Sequence, residues 1–296
     1  MTRAALYLAV MCSACVAADD SSVTVTSQEM ISLNGTSLTG VTFLGTTPSG
    51  GALNSSTLLG VSTSGNAQTG AAITTGPSTA PPWTGAALVG STWSAVSTNN
   101  VMVKLRVDSA QVGSAPNTEL WAYGVSYQTT SGWQPLCGLD AANQPIKAVT
   151  VGGAWGAVTG DTASYATNAN RFTLACRTKT VAKCLELGYK PYKGYIGQMV
   201  ACVRMLRADY CGTGVAHTVD GTSLNIYDNV GIQLDTAAWA PEAEWTASGA
   251  RCVNSNNALR YEMVRAKDPG CTKPQQSATC GTTFANGALI IDELAN

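Results

Sequence analysis

Charge is the scarcest ingredient of this chain. Asp, Glu, Lys and Arg make up 12% of its 296 residues, about half of the ~25% usual in globular domains. The formal net charge is −1, so no basic excess exists to meet a phosphate backbone, and nucleic acid is excluded as an expected partner. One histidine and three phenylalanines are present. Beyond the leader no run of about 20 apolar residues occurs, so no later segment is expected to span a membrane. The sequence also lacks H-E-x-x-H, G-x-S-x-G and a glycine-rich phosphate loop opening a helix, which removes the readable signatures of zinc peptidases, serine hydrolases and nucleotide enzymes. No cofactor is expected.

With few charges, solubility must come from Ser, Thr, Asn, Gln and Gly. Those residues favour strands, turns and long loops over helices. The chain opens with Arg3, an apolar run from Ala4 to Cys15, and the small residues Val16-Ala17-Ala18 ahead of Asp19-Asp20. This order reads as an export signal over 1–18. Cys15 follows Ala14 as a lipid-acceptor cysteine would, but Cys12 stands where such a signal carries Leu. A cleaved leader is therefore the preferred reading, and the expected location is extracytoplasmic: secreted, periplasmic or on the outer surface.

Setting aside Cys12 and Cys15 in the leader, the remaining cysteines are Cys137, Cys176, Cys184, Cys202, Cys211, Cys252, Cys271 and Cys280. They are even in number, and an exported chain meets an oxidising compartment, so four disulfides are expected. Each typically contributes about 2–4 kcal/mol. No C-x-x-C pair occurs among them, which argues against zinc. All lie after residue 136, and that asymmetry separates two halves of the chain.

The cysteine-free half carries a repeat of period five. Glycine recurs at 35, 40, 45, 50, 60, 65 and 70. Two residues earlier stand Leu33, Leu38, Phe43, Pro48, Leu53 and Leu58. The pattern is similar to pentapeptide repeats, which wind a right-handed β-helix whose coils bury apolar faces against one another. The expected layout is a leader over 1–18, a repeat over 19–72, a connection over 73–96 marked by Pro81-Pro82, and a second domain over 97–296. The fold class is α+β, mainly β: a short N-terminal β-helix-like repeat followed by a disulfide-stapled, β-rich domain with two or three helices.

Within the second domain, Val101, Val103, Leu105 and Val107 alternate with polar residues, and Leu120–Tyr127 forms a second candidate strand across the turn at Ala115-Pro116. Further strands are expected over Ala148–Trp155, Arg171–Cys176, Leu259–Arg265 and Ala288–Ile291. One helix is expected around Val181, Cys184 and Leu185, stopped by Gly188. Another is expected over Gln198–Tyr210, where Met199, Cys202, Val203, Leu206 and Tyr210 share one face. In an unbroken helix Cys202 and Cys211 would be about 13.5 Å apart, beyond the reach of one disulfide, about 7 Å between Cα atoms. They should have different partners. Cys184 and Cys202 lie on apolar helix faces and are expected to pair.

Several ordered motifs then accumulate. Trp133-Gln134-Pro135-Leu136-Cys137-Gly138 precedes Arg171-Phe172-Thr173-Leu174-Ala175-Cys176. Arg207-Ala208-Asp209-Tyr210-Cys211-Gly212 follows, then His217-Thr218-Val219-Asp220-Gly221 and Gly249-Ala250-Arg251-Cys252. This set resembles the ADYC domain, a bacterial family of exported proteins, over roughly 97–296. The resemblance implies a leader and short repeats ahead of the domain. It implies no activity.

The densest polar cluster is Arg207, Asp209, Tyr210, His217, Asp220 and Asp228. As chemistry, His217 would be a general base oriented by Asp209 or Asp220. A nucleophile is wanting, because Cys211 is expected to be oxidised. As structure, Arg207 and Asp209 would tie a helix end to its loops, Tyr210 would pack, and Asp220-Gly221 would turn. The structural reading is preferred. A calcium site from Asp209, Asp220 and Asp228 matches no loop spacing. Trp83, Trp93, Trp239 and Trp245 sit in loop-like sequence and offer stacking surfaces for a sugar, although core packing is their commoner use. The expected function is a non-enzymatic binding or structural module for an extracytoplasmic protein or glycan. A secreted hydrolase using the Asp209/His217 region and a glycan-binding protein are the alternatives.

Overall fold

Alternating apolar residues build most of the observed elements. The computed structural model describes residues 38–47, 61–63, 73–75, 83–96, 102–152, 171–218, 221–284 and 287–295. The expected leader over 1–18 with Cys15, Asp220 and most of the five-residue repeat read as a β-helix lie outside the described residues. In chain order the first strands are β1 (Leu38–Thr47), β2 (Val61–Thr63), β3 (Ile73–Thr75), β4 (Trp83–Thr84) and β5 (Thr92–Val96). Next come β6 (Met102–Val112), β7 (Trp121–Thr129), β8 (Gly132–Pro135), β9 (Ala148–Gly152) and β10 (Arg171–Cys176). Helices α1 (Thr180–Glu186) and α2 (Ile196–Leu206) follow, then β11 (Leu224–Asp228), β12 (Ala240–Thr246), β13 (Gly249–Asn254), α3 (Leu259–Lys267), β14 (Gln275–Ser277) and β15 (Ile290–Leu294).

The first large sheet closes on itself. Its order is β6-β5-β1-β10-β9-β7, and β7 pairs back to β6, with β8 extending β7 beside β9. Every pairing is antiparallel. Closure removes the exposed edges that an open sheet leaves. Leu105 and Val107 are fully buried, while Lys104, Arg106 and Asp108 on the other face of β6 reach solvent. Strand β7 is buried on both faces from Ala122 to Ser126. Tyr123 and Val125 fill the barrel interior. Ala122, with Val149, Val151 and Ala175, faces outward into the core shared with the helices.

The second sheet runs β11-β15-β12-β13-β14 and carries one parallel pair, β13 with β14. Helix α1 packs on β9 and β10 of the barrel, and α2 packs on β12, β13 and β15 of the second sheet. The two helices also pack on each other. The result is barrel, helix pair and sheet around a common core that includes Val181, Leu185, Met199, Val203, Trp245 and Ile290. A smaller sheet, β2-β3-β4, precedes β5.

Four cysteine pairs staple these layers. Cys137–Cys176 joins the loop after β8 to the end of β10, and Cys184–Cys202 joins α1 to α2, as the two apolar helix faces implied. Cys211–Cys271 and Cys252–Cys280 complete the set, with Cα separations of 5.5 and 5.9 Å.

Several local expectations change. Residues 259–265 form helix α3, not a strand. Leu259, Tyr261 and Met263 alternate as a strand would, but the buried set is Arg260, Tyr261 and Val264, at helical spacing. Helix α2 stops at Leu206, short of the expected Tyr210, because Ala208 turns into the left-handed region at φ 52°. Cys202 and Cys211 still find separate partners. The segment 73–96, read as a connection, contains β3, β4, a short 3-10 helix over Gly85–Leu88, and β5. Its Thr-Trp-Ser-Ala-Val run is strand-favouring, and β5 is a full barrel strand. Trp83, Trp93 and Trp245 accordingly lie in strands, not loops.

Candidate functional site

The segment Arg207–Cys211 leaves α2 and lies directly on the β12–β13 hairpin. The approach is backbone to backbone: Ala250 N donates to Tyr210 O at 2.8 Å. Two glycines permit it. A Cβ on Gly212 would meet Ser248 O at 2.1 Å, and one on Gly249, at φ +114°, would meet Tyr210 O at 2.5 Å. No side chain fits at either place.

Each motif residue is then used internally. Arg207 is buried and donates from Nη2 to Gly214 O. Its carbonyl accepts from His217 N at 2.8 Å and Thr218 N at 3.2 Å. Burial lowers its pKa from the usual guanidinium value, against the favourable charge of Asp209. Asp209 accepts from Thr213 N at 2.9 Å and Gly214 N at 3.0 Å, and pairs with Arg204 Nη1. Arg204 donates from Nε to Ala247 O at 2.7 Å. One carboxylate thus binds the helix end to the loop that follows, and Arg204 carries the link to the hairpin. Cys211 is joined to Cys271.

Tyr210 points the other way, into a buried polar cluster. Its ring packs 4.9 Å from that of Trp245 and 5.1 Å from that of Tyr261, measured between centroids. Its hydroxyl donates to Glu242 and accepts from Arg260 Nε at 2.8 Å. Arg260 Nη2 lies 2.8 Å from Glu242 and 2.9 Å from Asp292. Trp245 Nε1 donates to Asp292 at 2.8 Å. Two buried carboxyls share one guanidinium here. Burial first, and then the charge of Glu242, push the Asp292 pKa well above the ordinary carboxylate range. Burial likewise pushes the Tyr210 phenol up.

This second cluster was not legible in the sequence. Glu242, Arg260 and Asp292 come from β12, α3 and β15, and nothing in their spacing announces a meeting. The signal available was the pair Glu242 and Glu244 inside an apolar strand, which marks charges needing partners. Glu244 finds Arg251 and Gly281 N, the latter at 2.9 Å.

The remaining candidates separate from the motif. Asp228 closes its own loop: Oδ1 accepts from Val230 N at 2.8 Å and Ile232 N at 3.1 Å, and Oδ2 accepts from Gln233 N at 2.6 Å and Tyr189 OH at 3.0 Å. The calcium reading has little oxygen left to draw on, since Asp209 and Asp228 both serve protein donors. Asp220 lies outside the described residues. Glu244, Cys252 and Cys280 converge closely, but the two sulfurs are joined to each other. His217 is half-buried and lines a groove of about 300 Å³ with Leu259, Arg260, Met263, Lys267 and Leu294. No acid lines that groove among the described residues. Trp245 is buried and Trp239 is half-buried, so neither is an open stacking platform. No described helix is long and apolar enough to cross a membrane.

The comparisons agree with the motif. The family model for the ADYC domain matches residues 85–259, and the chain belongs to that family. The match begins at the 3-10 helix before β5, ahead of the boundary at 97 expected from the strands, and takes in every barrel strand except β1, together with the motif. No curated protein and no solved structure matches the chain.

Proposed function

We propose that this ADYC-domain protein is an exported, extracytoplasmic binding or structural module and not an enzyme. The observation that carries the reading is the state of the motif itself. Arg207, Asp209 and Tyr210 are nearly inaccessible, and Arg207 Nη2, the Asp209 carboxylate and the Tyr210 hydroxyl are engaged by neighbouring protein atoms. Catalytic acids and bases need a face toward substrate. A buried, hydrogen-bonded network holds loops in place instead. The four cysteine pairs and the leader-like start support an oxidising compartment.

The test is turnover. Full-length oxidised protein is incubated with ester, peptide and glycoside substrates beside His217→Ala. The reading expects no saturable hydrolysis by either protein. Saturable turnover that His217→Ala abolishes would establish the hydrolase instead. Export is tested separately by fusing residues 1–18 to a reporter, which should leave the cytoplasm.

A further inference from the structure

Helix α3 has two characters. Arg260, Tyr261 and Val264 face the core. Leu259 and Met263 stand one turn apart on another face, 72% and 48% exposed, and Lys267 continues the same line one turn on. Beside this stripe lie His217 and Leu294, and the groove between them has a volume of about 300 Å³. That is the lower end of the range for small-molecule sites, which combine an apolar lining with a few polar groups.

We propose that this groove binds a monocarboxylate on a medium-length aliphatic chain, an assignment that rests on the binding-module reading above and names its ligand. Leu259, Met263 and Leu294 supply the apolar lining for the chain. The charge is complementary to a carboxylate: Lys267, His217 and Arg260 contribute nitrogen groups, and no acid lines the groove among the described residues. Arg260 adds a second argument. Its Nε and Nη2 are engaged by Tyr210, Glu242 and Asp292, but Nη1 is buried and meets no acceptor. A guanidinium donor left so is costly, and because Arg260 also lines the groove, an anion bound there adds a favourable charge beside it. Glu242 and Asp292 meet Arg260 on the core side, and Lys267 brings an exposed ammonium to the described wall of the groove. A neutral alcohol of the same length would gain the apolar contact and forgo the charge. An alkylammonium would meet repulsion.

The experiment is calorimetric titration of the full chain with decanoate, decan-1-ol and decylammonium, each below its aggregation concentration. Saturable binding of one decanoate per chain is expected, with decanol weaker by about tenfold or more, the worth of one charge-assisted contact. Lys267→Ala should weaken decanoate about tenfold, and Met263→Glu, which sets an acid on the exposed stripe, should abolish binding. Both positions are solvent-facing, and unchanged circular dichroism melts will show that the fold is intact. Absence of saturable decanoate binding, equal affinity for decanol, or full binding by Met263→Glu overturns the proposal. A p-nitrophenyl decanoate arm separates the two readings. Its His217-dependent hydrolysis would sink the non-enzymatic reading while the ligand assignment stands. No binding and no hydrolysis would sink the ligand assignment alone.

Discussion

Replacing Asp209 by alanine should be among the most damaging single changes in this protein, although nothing about Asp209 is catalytic. The carboxylate accepts two backbone N–H groups, from Thr213 and Gly214, and pairs with Arg204. The side chains of Arg204 and Asp209 are 10% and 3% exposed. Removing one member of a buried pair costs about 3–5 kcal/mol, because the other charge loses its compensation in a poorly solvated place. Here Arg207 adds to the penalty: Asp209 also offsets its buried charge, which Arg204 opposes. Against a total stability of about 5–15 kcal/mol, that loss is a large fraction. At about 2–4 °C per kcal/mol for a domain of this general size, the melting temperature should fall by roughly 10 °C. Asp209→Asn keeps an acceptor oxygen while losing the charge, and should cost about 2 kcal/mol. His217→Ala, whose side chain is half-buried beside the groove, should stay within about 0.5 kcal/mol. Urea unfolding of the oxidised proteins measures all three. A further variant tests the mechanism: Arg204→Met with Asp209→Ala should cost less than the sum of the single changes, since the stranded charge is gone. If Asp209→Ala unfolds within about 1 kcal/mol of the parent, the motif is not the structural tie described.

Gly249→Ala should destabilise by about 1–3 kcal/mol from the positive φ alone, with the clash against Tyr210 O added; a melt indistinguishable from the parent would refute the close approach. Mapping of unreduced peptides should recover Cys137–Cys176, Cys184–Cys202, Cys211–Cys271 and Cys252–Cys280, with no free thiol among them after denaturation. Of these, Cys211–Cys271 closes the longest loop, with a separation of 60 residues against 18 for Cys184–Cys202. Its removal should therefore cost about 1 kcal/mol more, by loop entropy. Asp292 and Glu119 set opposite pH limits. The raised pKa of Asp292 means its contribution is whole below its ordinary value of 3.8 and is lost as pH rises through the folded value. Glu119, held down to about 2 by Lys190 and Lys193 against the opposing effect of burial, contributes above 4.5 and loses that as pH falls toward 2. Asp292→Asn, which cannot ionise, should flatten the decline that accompanies rising pH above 3.8 in a pH series of melts, and Glu119→Gln should flatten part of the acid limb.

The strands that were legible are those with one wet face. Leu105 and Val107 alternate with residues that touch water, and β6 was plain from that. The barrel was not, because closure depends on β7 pairing to both β6 and β9, a fact of register that no single strand encodes. Strand β7 is buried on both sides, and its Ala-Tyr-Gly-Val-Ser run carries no alternation to show which residue faces the barrel interior. Helix α3 misread for a related reason. Its buried residues include Arg260, which a hydrophobic pattern counts as surface, while its exposed residues include Leu259 and Met263. The inversion of polarity along α3 is the same feature that produces both the Tyr210 cluster and the groove. Cys184–Cys202 was readable because both cysteines sit on apolar helix faces. Cys211–Cys271 was not, because its second member follows a helix whose alternating Leu259, Tyr261 and Met263 imitate a strand.

The motif that identifies the family and the surface available for recognition are therefore different places joined by one residue. Arg260 reaches back to Tyr210 and Glu242 and also lines the groove. Anything that changes the packing of Tyr210 shifts the guanidinium, and with it the polar wall of the groove. Tyr210→Phe should then alter more than stability. It removes the hydroxyl that receives Arg260 Nε and donates to Glu242, but keeps the ring against Trp245 and Tyr261. The fold should survive at a cost of about 1–3 kcal/mol. Decanoate affinity should change along with it, although Tyr210 itself is buried behind the groove. Equal affinity in a folded Tyr210→Phe protein would show that core and groove are energetically separate, and that Arg260 is only a structural strut.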